Sequence, residues 1–259
     1  MTSALVILAM SAQIIAHRGA SFDAPENTLP AVELAWEQGA DAVEVDVFLT
    51  KDGQVVAIHD EDTKRVAGVA KKVEDQTLAE LQNLDVGAWK DKKFAGTRIP
   101  TLDQVLAAVP AGKGLVVEIK DDDAILPELE RALDRSGKRD QVSLISFGYS
   151  VMREAKRRMS DVPCYWLYGF SVRERVRYGN PGPDRLVALA KAAGLDGLDV
   201  NYTGAFGADL PEKLAAEGMK LLVYTVNDPE SARRLEANGI AGLTTDRPAF
   251  LRQALEDVN

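Results

Sequence analysis

Only two histidines and one cysteine occur in the 259 residues. Cys164, alone and set in an apolar stretch, can form no intrachain disulfide and reads as a buried, inert thiol. Such sparing use suits a reducing compartment, so a cytoplasmic location is expected. A zinc site built from cysteine and histidine is excluded because the ligands are too few. Long apolar runs are also lacking. Residues 4–10 are apolar but too short to span a bilayer, and no basic segment precedes them as in a secretion signal. We read Met10 as the natural start and residues 1–9 as an N-terminal extension. Basic stripes are missing too: 31 Lys and Arg stand against 40 Asp and Glu, for a net charge of −9. That balance excludes a phosphate-neutralising nucleic-acid surface, and the basic run Arg153 to Arg158 reads as the solvated face of a helix.

What is present is an alternation. Short β-branched runs at residues 14–17, 42–48, 114–119, 141–145, 162–167, 197–199, 221–225 and 242–244 read as strands. Amphipathic stretches at residues 29–38, 102–109, 125–134, 151–159, 183–193, 209–216, 229–237 and from 248 onward read as helices. About eight βα units in a chain of this length predict an α/β fold of the (β/α)8 TIM barrel class, one domain over residues 10–259. An open doubly wound sheet is the rival, but His17-Arg18-Gly19 is followed by Ala20-Ser21-Phe22 and not by a glycine-rich dinucleotide turn. Residues 61–98, after the second strand, are too long for an ordinary βα connection and predict a small insertion over one end of the barrel.

The chemistry gathers in the first half. Glu44 and Asp46, one residue apart on a strand, project to the same side. Their neighbours Val43, Val45 and Val47 suit a strand covered by helices, where two carboxylates are costly unless a cation lies between them. Glu118 and Lys120 repeat the arrangement on the next barrel strand. Three acids so placed suit a hard divalent ion such as Mg²⁺ or Ca²⁺. His17 and His59 are expected to terminate neighbouring strands and flank one cavity, where imidazole can transfer protons. Arg18 offers a fork for a phosphate. In Pro25-Glu26-Asn27-Thr28, Asn27 or Thr28 caps the first helix, and Glu26 is expected to steady the metal site from behind its ligands. The acidic run Asp121-Asp122-Asp123 reads as a solvated loop and helix start.

His17-Arg18-Gly19, Pro25-Glu26-Asn27-Thr28, Glu44-Val45-Asp46, Thr50-Lys51-Asp52-Gly53, His59-Asp60 and Glu118-Ile119-Lys120 resemble, in that order and spacing, the glycerophosphodiester phosphodiesterase family. Ile99-Pro100-Thr101-Leu102 and Thr245-Asp246-Arg247-Pro248 resemble its later motifs, so the likeness runs from about Ile14 to the last helix. The resemblance implies a barrel with a small insertion after its second strand and one divalent cation on Glu44, Asp46 and Glu118. It also implies His17 and His59 as the acid/base pair, and Arg18 and Lys120 on the phosphate of a small-molecule glycerophosphodiester. Where many members carry Trp in a Trp-Thr-Val-Asn segment, this chain has Tyr224-Thr225-Val226-Asn227, so Tyr224 becomes the aromatic wall beside the glycerol. The expected reaction is hydrolysis to sn-glycerol 3-phosphate and an alcohol such as choline or ethanolamine. Two other readings share the site. One is a lysophospholipase D-type enzyme with an apolar groove of Phe147, Trp166, Tyr168 and Phe170; the other is a noncatalytic phosphodiester-binding barrel.

Overall fold

The computed structural model describes residues 11–170, 182–202 and 209–257; the extension at residues 1–9 and the expected start at Met10 lie outside the described residues. Eight parallel strands close into a barrel: β1 (Gln13–Ala16), β2 (Ala42–Leu49), β4 (Gly114–Ile119), β5 (Val142–Ser146), β6 (Cys164–Tyr168), β7 (Gly197–Asn201), β8 (Lys220–Tyr224) and β9 (Gly242–Thr245). Each pairs with the next, and β1 closes the circle between β2 and β9. The connecting helices are α1 (Leu29–Glu37), α4 (Leu102–Ala107), α5 (Leu126–Ser136), α6 (Tyr149–Arg158), α7 (Pro183–Ala192), α8 (Leu210–Ala216), α9 (Pro229–Ala237) and α10 (Pro248–Glu256). The expected (β/α)8 barrel is therefore what the chain forms.

Alternation along the strands sorts side chains into two layers. On β2, Val43, Val45 and Val47 face the helices and join the main apolar core with Leu115, Val117 and Ile119 of β4. The residues between them face inward, where Ile15, Ala42, Val116, Ile145, Tyr165, Leu167 and Leu222 fill the barrel. Buried on both faces, the strands read as near-continuous aliphatic runs, which is why the few charged residues in them stand out.

The connection after β2 departs from the pattern. Chain direction reverses and β3 (Val55–Ala57) pairs antiparallel with β2, Val47 opposite Ala57. The excursion continues through α2 (Lys64–Ala67) and α3 (Leu78–Leu81), the latter carrying a capping box of Thr77 and Glu80. It has a small core of its own, made by Val56, Ile58, Val66, Val73, Leu81, Val86 and Ile99. Trp89 stays half exposed and donates its indole N–H to the Val86 carbonyl at 2.8 Å. His59 thus follows an antiparallel hairpin strand and does not end a barrel strand next to β1, contrary to the expectation. It still reaches the barrel mouth because the Ile58 N–H bonds to the Asp46 carbonyl at 3.0 Å, holding the hairpin against β2.

No helix among the described residues is long and apolar enough to cross a membrane. The basic run on α6 is a solvated face, with Arg157 paired to Glu154 and Arg158 to Glu130. Cys164 is buried in the core, and burial pushes its thiol up to about 12, so it is inert as expected.

Candidate active site

Inward projection from β2 and β4 brings three acids together. Asp46 lies level with Glu118 across the strand pair, and ligand oxygens of Glu44, Asp46 and Glu118 all lie within 4.8 Å of one another. All three are buried. The same strands that carry Val43, Val45 and Leu115 outward therefore place carboxylates inward at the C-terminal end of the barrel.

The turn after β1 wraps this cluster. Arg18 and Asn27, at φ 56° each, are the two non-glycine residues with left-handed backbone among those described. Asn tolerates that conformation, whereas Arg18 carries a cost of about 1–2 kcal/mol. The turn is held by the Asn27 N–H donating to the Arg18 carbonyl at 3.0 Å. Gly19, at φ 81°, lets the loop press on α1, since a Cβ there would meet the Ala31 carbonyl carbon at 2.5 Å. The result aims three groups at the acids. The Arg18 backbone N–H donates to Glu44 Oε2 at 2.9 Å, and its Nε lies 3.2 Å from Asp46 Oδ2. Asn27 grips Asp46 twice, donating from Nδ2 to Oδ2 at 2.8 Å and accepting the Asp46 backbone N–H at 3.0 Å. Thr28, not Asn27, caps α1, its hydroxyl accepting from the Ala31 N–H. Lys120 donates to Glu118 Oε1 at 2.8 Å and lies 3.3 Å from Asp46 Oδ1.

Charge is divided unevenly in the cluster. Burial raises the Asp46 pKa, but Lys120, Arg18 and the Asn27 bond outweigh it and hold the group down at about 2. Burial and Asp46 push Glu118 up to about 7 despite Lys120, and burial with the neighbouring acids raises Glu44 well above its ordinary value. Two cations thus leave three buried acids under-compensated, and Glu44 Oε1 is buried without a hydrogen-bond partner. An all-oxygen donor set with an unpartnered buried oxygen fits a hard divalent cation.

Each histidine leans on its own carboxylate. His17 Nδ1 donates to Asp246 Oδ1 at 2.6 Å, and the His17 backbone N–H reaches the Thr245 carbonyl at 2.8 Å. Asp246 also accepts from the Ser21 hydroxyl at 3.1 Å and from Asn227 Nδ2 at 2.6 Å. Burial raises the Asp246 pKa, yet the His17 bond and charge, with the Asn227 and Ser21 bonds, depress it to about 2. His59 Nδ1 donates to Asp60 Oδ1 at 2.7 Å, and Arg65 Nε donates to the other oxygen at 2.6 Å. Arg65 continues to Glu26 through two bonds of 2.8 Å, and Glu26 accepts from Arg18 at 2.9 Å. Glu26 therefore braces Arg65 and Arg18, and through Arg18 it stands behind Glu44 and Asp46.

These groups open on one cavity of about 210 Å³. His17, Arg18, Glu44, His59, Glu118 and Lys120 line one part, and Ile145, Phe147, Leu167, Asp199, Tyr224, Thr225 and Thr244 line the rest. Tyr224 packs edge-on against Phe147, ring centroids 6.2 Å apart. A second, more open cleft of about 250 Å³ shares His17 and Arg18 and runs past Ser21, Phe22, Trp89 and Lys90. Of the four aromatics that a lipid substrate would call on, Phe147 lines this cavity, and among the described residues Trp166, Tyr168 and Phe170 belong to the main core. Asp121 accepts the Leu49 N–H at 3.1 Å and Asp122 caps a short turn, so that acidic run lies outside the cluster, as expected.

Sequence reasoning did not assign Asp246, Asn227, Asp60, Arg65 or Asp199, nor the grip of Asn27 on Asp46. Asp60 and Asp246 stood inside quoted motifs, and their position beside a histidine or at a strand end was the usable signal.

Comparison with known proteins identifies the family and the fold. The model of the Glycerophosphoryl diester phosphodiesterase family matches residues 17–250. A glycerophosphodiester phosphodiesterase of Caldanaerobacter subterraneus subsp. tengcongensis is 34% identical over 247 residues, covering 93% of this chain and 97% of that protein. A phosphodiesterase of Oleispira antarctica, solved in complex with the product sn-glycerol-3-phosphate, superposes with a TM-score of 0.82 at 27% identity, covering 95% of this chain and 97% of that one. The glycerophosphodiester phosphodiesterase of Thermotoga maritima gives 0.75 at 29% identity over 94% and 98% of the two chains. With the motif order, the barrel and the match along nearly its whole length in agreement, this chain belongs to the glycerophosphoryl diester phosphodiesterase family.

Proposed function

We propose that the protein hydrolyses glycerophosphodiesters to sn-glycerol 3-phosphate and an alcohol. The observation that carries this reading is the pair of carboxylate-bound histidines facing one cavity beside three buried acids. A carboxylate can only accept from Nδ1, so each ring keeps Nε2 as the atom that moves a proton. Burial lowers the His59 pKa, and Asp46 does not offset it because Lys120 and Arg18 act in the same direction as burial. His59 is therefore neutral near pH 7 and takes the proton from the attacking oxygen. His17 borders both the cavity and the open cleft, where a leaving alcohol can depart. Asp246 holds the ring through Nδ1, and His17 gives its Nε2 proton to the alkoxide as the phosphorus–oxygen bond breaks.

Glu44, Asp46 and Glu118 would hold one divalent cation, Mg²⁺ or Ca²⁺, which when bound polarises a phosphoryl oxygen and offsets charge developing there. Arg18 and Lys120 hold the phosphate by charge and hydrogen bonding. Tyr224 and Phe147 make an apolar wall for the glycerol carbons. The product named for the Oleispira antarctica relative supports sn-glycerol 3-phosphate as the product here.

Release of the headgroup alcohol from glycerophosphocholine, glycerophosphoethanolamine and lysophosphatidylcholine tests the reading, the second product being glycerol 3-phosphate from the first two and lysophosphatidic acid from the third. Turnover of the first two is expected, with none from His17→Ala or His59→Ala. Near-normal activity in His17→Ala would sink the proton assignment. Faster turnover of lysophosphatidylcholine would favour a lipid substrate, and no release from any would favour a binding barrel.

A further inference from the structure

The cavity wall opposite the acid cluster holds a carboxyl that the proposed proton transfers do not use. Asp199 sits on β7, level with Leu167 on β6 and Leu222 on β8, both of which face into the barrel. In the closed strand order β7 is four strands from β2 in either direction, so Asp199 faces Glu44 and Asp46 across the barrel. Asp199 is 2% exposed, lines the cavity, and its Oδ1 is buried without a hydrogen-bond partner. Glu44, Asp46 and Glu118 group within metal-ligand reach of one another and Asp199 does not group with them. A buried acid among hydrocarbon neighbours destabilises a fold unless something arrives to pair with it. Burial, reinforced by Glu118, raises its pKa, and a carboxyl in its protonated form offers both a donor and an acceptor.

We propose that Asp199 reads the glycerol hydroxyl farthest from the phosphate, and so separates free glycerophosphodiesters from diesters acylated at that oxygen. This rests on the hydrolytic reading above. With phosphate held at the His17, Arg18 and Lys120 end, the middle hydroxyl stays near the acid cluster and only the terminal one spans to the far wall. There Ile145, Phe147 and Leu167 offer only carbon, and beside the hydroxyls of Tyr224, Thr225 and Thr244 Asp199 is the carboxyl able to pair with that oxygen. An acyl ester at that oxygen has no hydrogen to donate to the acceptor of Asp199. Sites built to hydrogen-bond a substrate hydroxyl reject analogues that lack it, because the buried polar group is then left unpaired.

The test compares kcat/KM for glycerophosphocholine and for its analogue lacking the terminal hydroxyl, with lysophosphatidylcholine as a third substrate. The wild-type protein is expected to prefer the glycerol substrate by about 10- to 100-fold. In Asp199→Ala that ratio falls to about one, with the change seen in KM as well as kcat, and Asp199→Asn, which keeps a donor and an acceptor, restores most of it. Asp199→Leu, matching its flanking leucines, supplies a second apolar variant should the alanine protein fold poorly. A ratio unchanged in the apolar variants, or losses equal on both substrates, overturns the assignment while leaving hydrolysis intact. No cleavage by the wild-type protein overturns the hydrolytic reading and this assignment with it.

Discussion

Replacing Asp246 by asparagine removes one charge and almost no volume, and it tests the support behind His17. Three donors converge on this carboxylate: His17 Nδ1, the Ser21 hydroxyl and Asn227 Nδ2. An amide has one acceptor oxygen, so at least one donor must face an NH₂ group. The depression of the Asp246 pKa from 3.8 to about 2 corresponds to about 2 kcal/mol at 1.36 kcal/mol per unit. Screening by solvent at the exposed third of the side chain reduces this to about 1–2 kcal/mol. The sign follows from a carboxylate whose folded pKa lies below its unfolded one: the stabilisation is full above pH 3.8 and is lost as pH falls through about 2. Thermal melts should therefore show Asp246→Asn less stable than wild type near neutrality, with the gap closing toward pH 2. In steady-state assays of glycerol 3-phosphate release, kcat should fall on the order of 10²- to 10⁴-fold, because the ring loses the tautomer that the carboxylate enforces. KM should change little, since Asp246 is placed behind His17 and not on the substrate. Wild-type kcat in this variant, or a stability gap as wide at pH 2 as at pH 7, would refute the reasoning.

Other variants probe neighbouring groups. Asp60→Asn removes the bond that raises the His59 pKa against burial, so the acid limb of kcat/KM should move to lower pH while kcat falls about 10- to 100-fold; a pH–rate profile checks both. Glu44→Gln keeps the shape of the cluster but removes a charged ligand, so the rise in Tm on adding Mg²⁺ or Ca²⁺ to chelated protein should shrink or vanish. Asn27→Ala gives up both bonds to Asp46 and places alanine at φ 56°; denaturant unfolding should show a loss of about 2–4 kcal/mol.

Much of this architecture is legible from the chain because buried parallel strands are aliphatic on both faces. Glu44, Asp46 and Glu118 broke that pattern, and their spacing told which way they point. His59 was harder: a three-residue apolar run such as Val55–Ala57 looks the same whether its strand runs parallel or antiparallel. On β6 every residue is buried, so nothing marked Tyr165 and Leu167 as the inward pair or placed Trp166 and Tyr168 in the outer layer. Asp246, with Asn227 bonded behind it, meets His17 only after closure joins β9 to β1, a contact spanning 229 positions that local periodicity does not carry. Asp199 sat in a short run, Gly-Leu-Asp-Val, where one acid reads equally well as a solvated strand position.

Phosphorus NMR of glycerophosphocholine with chelated protein, before and after Mg²⁺ or Ca²⁺ is added, tests the central claim most directly. The account predicts an unchanged diester signal until the metal is added, then its conversion to glycerol 3-phosphate with release of choline. A product signal of phosphocholine, cleavage that ignores chelation, or a diester that survives with metal present would contradict it.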